Sequence, residues 1–139
     1  MQMNPYLIFN GNCEAAFNYY TEHLGGQIQE FHRYGNSPMA EQVPSEQHNR
    51  VMHVSLSLTN GQMLMASDTM PGEPYEGMRG ISLSLNVKNV QEAEKVFTAL
   101  AVNGTVTMPL EKTFWAERFG MLIDQFGTPW MVNVDPIPE

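Results

Sequence analysis

One order of elements occurs twice along this chain, and that repetition constrains the fold more than any other feature. In the first half, the apolar run at residues 5–9 predicts a strand. Asn12 stands as a helix N-cap, Ala16, Phe17, Tyr20 and Leu24 follow at helical spacing, and Gly25-Gly26 is the stop. Residues 27–34 alternate as a strand, and residues 35–50 read as a long, mobile polar loop with two prolines. Strands at 51–58 and 62–67 then flank an Asn60-Gly61 hairpin turn. After the Pro/Gly-rich residues 69–80 the order restarts with a strand at 81–87. Asn89 caps a helix, with Glu92 three residues on and an apolar stripe of Val90, Ala93, Val96, Phe97 and Leu100. A short strand at 105–108 precedes residues 113–134, which read as two strands around a Gly-containing turn.

Both halves therefore read βαβββ. Superposing Asn12 on Asn89 matches Ala16 with Ala93, Tyr20 with Phe97 and Thr21 with Thr98. Superposing Gly61 on Gly127 matches Met65 with Met131. The expected class is α+β: one domain of two βαβββ modules, at about 1–68 and 81–135, joined by the linker 69–80.

Composition narrows the function classes. The chain has 139 residues, 42% of them hydrophobic, enough for a real core. Its net charge of −8 argues against nucleic acid, whose phosphates need clustered Lys and Arg, and against anionic membrane surfaces. A single cysteine, Cys13, excludes an intramolecular disulfide and a Cys-rich zinc site, which makes a reducing cytoplasm the expected compartment. The start MQMNPYLIFN carries no basic region and no long apolar run, so neither a signal peptide nor a membrane helix is expected.

Side chains alternate across a strand, so parity assigns faces. In residues 51–58, Met52, Val54, Leu56 and Leu58 oppose His53, Ser55 and Ser57. In 81–87, Ile81, Leu83, Leu85 and Val87 oppose Ser82, Ser84 and Asn86. In 129–134, Trp130, Val132 and Val134 oppose Met131 and Asn133. Each sheet is thus expected to have an apolar face for its helix and a second face of small, polar and Met side chains. That second face is either a solvated antiparallel face or the wall of a ligand cavity. The absence of Lys and Glu from these Ser-rich strands favours the cavity.

These residues resemble a known family. The segments FNGNCEAAFNYYTEHLGG, LNVKNVQEAEKVFTAL and DQFGTPWMVNV resemble the vicinal oxygen chelate superfamily, which includes glyoxalase I, ring-cleaving dioxygenases and bleomycin-resistance proteins. PYLIFNG, GGQI, ASDTMPG, ISLSLNV and TVTMPLEKTFWAERFG are closer to its PhnB-like subgroup. Members of that subgroup have been labelled ubiquinone-pathway methyltransferases, but no Gly-rich nucleotide loop follows a strand here. The resemblance covers nearly the whole chain. It implies a glyoxalase-like fold, with the two modules forming a curled mixed sheet around a central cavity, and a homodimer. The superfamily's metal positions fall, by this resemblance, on Pro5, Met65, Ser82 and Met131. None is His, Asp or Glu, so the usual divalent metal is expected to be absent and no cofactor is assigned.

Candidate chemistry then rests on few residues. His53, on the mixed face, is a candidate general base. Glu117, between Trp115 and Phe119 in the strand expected to pair with the last one, is a candidate proton carrier; its bland alternative is an ion pair with Arg118 or another cation. Trp115, Ser82, Ser84, Met65, Met131 and Asn133 are the expected ligand-binding residues. Cys13 sits in a first helical turn, where the helix dipole favours a thiolate. Asp68 reads as a turn or cap residue, and His23, His32 and His48 as surface residues. The leading expectation is a PhnB-like protein that binds a small organic molecule in a Ser/Met/aromatic cavity. The alternatives are a non-catalytic binding or resistance protein, or a lyase- or dioxygenase-type metalloenzyme whose displaced metal site recruits His53 and Glu117.

Overall fold

The computed structural model describes residues 1–136, and the chain divides into two compact units, Met1–Gly77 and Met78–Glu139. The first unit contains β1 (Tyr6–Phe9), α1 (Cys13–Leu24), β2 (Gln27–Arg33), β3 (Val51–Ser57) and β4 (Met63–Asp68). Its sheet runs β1-β4-β3-β2, with β1 parallel to β4 and the other pairs antiparallel. The second unit contains β5 (Leu83–Val87), α2 (Val90–Ala101), β6 (Thr105–Glu111), β7 (Arg118–Ile123) and β8 (Pro129–Val134). Its sheet runs β5-β8-β7-β6, again with the first pair parallel. The topology of one unit is that of the other. The mixed sheet expected from sequence is two four-stranded mixed sheets, each paired inside its own unit.

Each core lies between one helix and one face of its sheet. Cys13, Ala16, Phe17 and Tyr20 of α1 are buried, as are Leu7, Phe9, Val54, Leu56, Leu64 and Ala66 of the sheet. In the second unit, Ala93, Val96, Phe97 and Leu100 of α2 are buried with Leu122, Trp130, Val132 and Val134. Parity holds: Leu83, Leu85 and Val87 pair in register with Trp130, Val132 and Val134. No helix among the described residues is long and apolar enough to cross a membrane.

Local chemistry explains the element ends. Asn89 Oδ1 accepts from Glu92 N at 2.8 Å, the capping bond expected for α2. Asn12 occupies the N-cap position of α1, but its side chain makes no capping bond. The carboxylate of Asp68 does that work from the end of β4, accepting from Gly11 N at 2.7 Å and Cys13 N at 3.1 Å. Gly26, at φ 89, passes so close to the Ser57 carbonyl that a Cβ would overlap it.

Three expectations change. The loop expected at 35–50 carries local structure, in three short 3-10 turns at Tyr34–Asn36, Ala40–Gln42 and Ser45–Gln47. His48, read as a surface residue, ties that segment together: its Nε2 lies 3.0 Å from the Ala40 carbonyl and 2.8 Å from that of Val43. β5 begins at Leu83, so Ser82 precedes the strand, and β7 begins at Arg118, so Trp115 and Glu117 sit in the approach to it.

Candidate functional site

The mixed face of the first sheet brings together titratable side chains from three strands. His53 of β3 is the register partner of His32 of β2, and their rings lie 6.5 Å apart at 20°. Tyr6 of β1 stacks on His53 from the other side, with ring centroids 5.7 Å apart. The Tyr6 hydroxyl lies 3.1 Å from His53 Nδ1. The other ring nitrogen, Nε2, lies 3.6 Å from Glu30 Oε2. When the Tyr6 hydroxyl donates to Nδ1, Nε2 carries the ring proton and faces this carboxylate. Met65 and Ser55 occupy the same face, in register with each other, and Ser55 is buried.

Parity points to His53 and to the face it shares, but which side chains meet it there depends on strand register. Tyr6 falls on the face opposite Leu7 and Phe9, and it pairs with Met65. His32, expected at the surface, is exposed but beside His53.

The mixed face of the second sheet is built of thioethers, amides and aromatics. Ser84 pairs with Met131, and Asn86 with Asn133. Met131 also pairs with Met121, and Asn133 with Phe119. The Asn133 amide donates to Asp135 Oδ1 at 3.1 Å. Trp115 is half-exposed in the loop before β7 and packs edge-on against Phe119, with centroids 5.4 Å apart. The exposed Phe114 packs on its other side at 4.8 Å.

Glu117 lies apart from this aromatic group in its partners. Its backbone N–H donates to the Val134 carbonyl at 2.8 Å, which extends the β7–β8 pairing by one bond. Its carboxylate lies 3.5 Å from Arg118 Nη1 and 3.9 Å from Lys112 Nζ, so the ion pair weighed as its bland role is formed. Glu117 also borders an open cleft of about 710 Å³ at the carboxyl ends of the parallel strands β5 and β8. Asn86, Lys88, Gln91 and Asp135 border the same cleft. Trp115, Ser82, Ser84, Met65, Met131 and Asn133 do not.

A second cleft, of about 340 Å³ in the first unit, is bordered by Arg50, Asn10 and Thr69. Arg50 Nη2 donates to Thr69 Oγ1 at 2.7 Å and to Asn10 Oδ1 at 3.1 Å. Asp68 is buried and fully engaged: besides α1 it accepts from Val51 N at 2.9 Å, and its carbonyl accepts from the Tyr34 hydroxyl. Its bonds are those of a cap and strand-joining residue. Cys13 is fully buried, and desolvation, reinforced by the Asp68 and Glu14 carboxylates, pushes its thiol far above the usual range. The thiolate that the helix dipole would favour is therefore not formed.

The residues do not fit a hard divalent ion. The register sets Tyr6 beside Met65 and Ser84 beside Met131, while Pro5 and Ser82 precede their strands. A phenol, a serine and two thioethers lack the carboxylate or imidazole donors that such ions require. Among the described residues, no group of three or more His, Cys, Asp or Glu is arranged to hold a metal ion.

Comparison with known proteins places this geometry. The family model described as 3-demethylubiquinone-9 3-methyltransferase matches residues 1–133. Protein YjdN of Escherichia coli (strain K12) is 36% identical, over 96% of this chain and 95% of its own length. The crystal structure of protein PA1353 from Pseudomonas aeruginosa is 49% identical, with a TM-score of 0.89 over 97% of this chain and 98% of that one. A PhnB protein from Bacillus cereus, described as a putative 3-demethylubiquinone-9 3-methyltransferase, is 28% identical with a TM-score of 0.80, covering 96% of this chain and 99% of its own. A glyoxylase/bleomycin resistance protein/dioxygenase domain from Frankia sp. EAN1pec shares the fold, at 13% identity and a TM-score of 0.69 over 98% of both chains. The chain belongs to the family described as 3-demethylubiquinone-9 3-methyltransferase, is similar to a PhnB protein, and has the fold of the glyoxylase/bleomycin resistance protein/dioxygenase domain.

Proposed function

We propose that this protein binds a small organic molecule against the mixed face of a sheet, with His53 transferring a proton on the face of the first unit. The observation that carries this reading is the hydrogen-bond distance between Tyr6 and His53, 3.1 Å, on a face that also holds Met65, Ser55, His32 and Glu30. An imidazole held by a phenol on one nitrogen and facing a carboxylate on the other has a defined proton position, which general acid–base chemistry needs. Met65, on the same face, supplies an adaptable apolar wall. In the second unit, Trp115, Met131, Asn133 and Ser84 offer the same mixture of flat apolar surface and amide or hydroxyl partners. Ser82, outside the strand, has the weakest support of the expected contacts. Glu117 keeps a place in the proposal as a second proton carrier, reached from the cleft at the ends of β5 and β8.

A second reading is favoured by the state of Glu117. Two cations share its carboxylate, which suits a fixed ligand-holding charge better than a group that must take up and release protons. The protein then binds its molecule without turning it over. Either reading includes a cytoplasmic homodimer, supported by the single cysteine and the family resemblance, and light scattering of the purified chain tests the dimer.

A thermal-shift screen of small organic molecules on the full chain tests the proposal, since a molecule bound to the native state raises Tm by mass action. A stabilising molecule should lose its effect with Tyr6→Phe. His53→Gln should keep binding and abolish turnover. Turnover unchanged in His53→Gln removes His53 from the chemistry, and a stabilising molecule indifferent to both changes sinks the site.

A further inference from the structure

We propose that Met108, Met121 and Met131 form a thioether site for a soft monovalent cation, copper(I) or its analogue silver(I). The sheet register carries the inference. Met121 of β7 is the direct partner of Met131 of β8, and Met108 of β6 pairs with Met121 between two register irregularities of the β6–β7 ladder. Residues directly opposite in a regular ladder share a face, with Cβ atoms about 4.5–5.5 Å apart, which sets Met121 beside Met131. Met108 joins them from the irregular outer strand, and Ser84 of β5 pairs with Met131 on the other side.

The three methionines are accessible. Leu122, Trp130 and Val132, on the opposite face of β7 and β8, are buried. Met108 is 41% exposed, and Met121 and Met131 are half-buried. Three thioethers gain little from water, and a solvated sheet face is better served by charged or β-branched residues. What a thioether offers is a soft, polarisable lone pair, which selects copper(I)-type ions and rejects Mg, Ca and Mn. Three rotatable bonds per side chain let the outer two sulfurs lean toward the middle one. The net charge of −8 raises the local concentration of any cation. The chain's one thiol, Cys13, is fully buried.

The test uses the whole chain, without oxygen, with methionine methyl groups labelled for NMR. Silver(I) is titrated directly, and copper(I) is presented in competition with bicinchoninate. The expected result is uptake of one ion per chain, with the methyl resonances of Met108, Met121 and Met131 shifting together. Met121→Leu, a near volume-conserving change, should weaken uptake by about tenfold or more. The paired change Met63→Leu and Met65→Leu in β4 should leave it unaltered. The proposal is overturned if the ion is not taken up, if other methionine methyls move instead, if Met121→Leu binds like the unaltered chain, or if uptake disappears in Cys13→Ser.

Discussion

The indole Nε1 of Trp130 donates to the carboxylate of Asp124 at 2.8 Å, in a site where both residues are buried. The other carboxylate oxygen accepts from the backbone N–H groups of Phe126 and Thr128 at 2.9 and 3.0 Å. One carboxylate therefore folds the β7–β8 turn and satisfies the largest side chain in that core. Asp124→Ala leaves these donors without their acceptor, each at a cost of roughly 1–3 kcal/mol, and should lower unfolding stability by about 3 kcal/mol or more. Asp124→Asn should lose less, because one carbonyl oxygen remains. Urea denaturation midpoints separate the two, and equal losses would show that the hydrogen bonds are not what matters at this position.

Asp68 holds the first unit in the same way, joining the start of α1 to the start of β3 through bonds to Gly11, Cys13 and Val51. Asp68→Ala should cost about 3 kcal/mol, more than Asn12→Ala, because the bonds at the start of α1 go to Asp68 and not to the Asn12 side chain. A larger loss at Asn12 than at Asp68 would reverse the assignment of the cap.

Two pH limits follow from titrating groups. Arg33 pairs with Glu14 through two bonds, at 3.0 and 2.8 Å, and holds the Glu14 carboxyl below its ordinary value of 4.5. A lowered folded-state pKa contributes stability that is present above 4.5 and lost as pH falls below it. Glu14 is partly exposed, so the contribution is at most about 1 kcal/mol, and Glu14→Gln should flatten the acid side of the stability profile by that amount. Cys13 works at the other end. Its raised folded-state pKa means that the unfolded chain loses the thiol proton first above 9.0, so stability falls there, and Cys13→Ala should remove that alkaline slope. Titration of stability across both limbs checks the pair; an alkaline slope that survives in Cys13→Ala belongs to another group.

Gly25 and Gly26 both sit at positive φ, 82 and 89. A Cβ at Gly25 meets nothing within 4 Å, whereas one at Gly26 overlaps the Ser57 carbonyl. Gly25→Ala should therefore cost only the backbone strain, roughly 1–3 kcal/mol at ψ −165, and Gly26→Ala more, because the overlap with the Ser57 carbonyl adds to its own strain. Equal losses would mean that β3 moves away freely at Ser57.

Periodicity and punctuation were enough to read the elements and their order. The two apolar stripes, the Asn89 cap and the Trp130 face were all visible, because each depends on residues a few positions apart. What escaped the sequence was reach across it. Asp68 caps a helix that starts 55 residues earlier, and Tyr6 meets His53 from a strand 47 residues away. His48 looked superficial because its partners are backbone carbonyls, which carry no residue signature. Trp115 and Glu117 were given strand positions by extending an alternation that stops at Arg118. The mixed faces were legible as faces, but which side chains meet on them depended on register, and register is set by pairing rather than by local pattern.

The shared strand order of the two units has an evolutionary consequence. At one equivalent place, the first unit sets a phenol beside Met65 and the second sets a hydroxyl beside Met131. Nearby, the first unit has imidazoles where the second has thioethers and aromatic rings. A scaffold held in duplicate lets the two copies carry different chemistry on the same face, imidazole and phenol on one and thioether and aromatic on the other, because the backbone that positions each set does not depend on which set it carries.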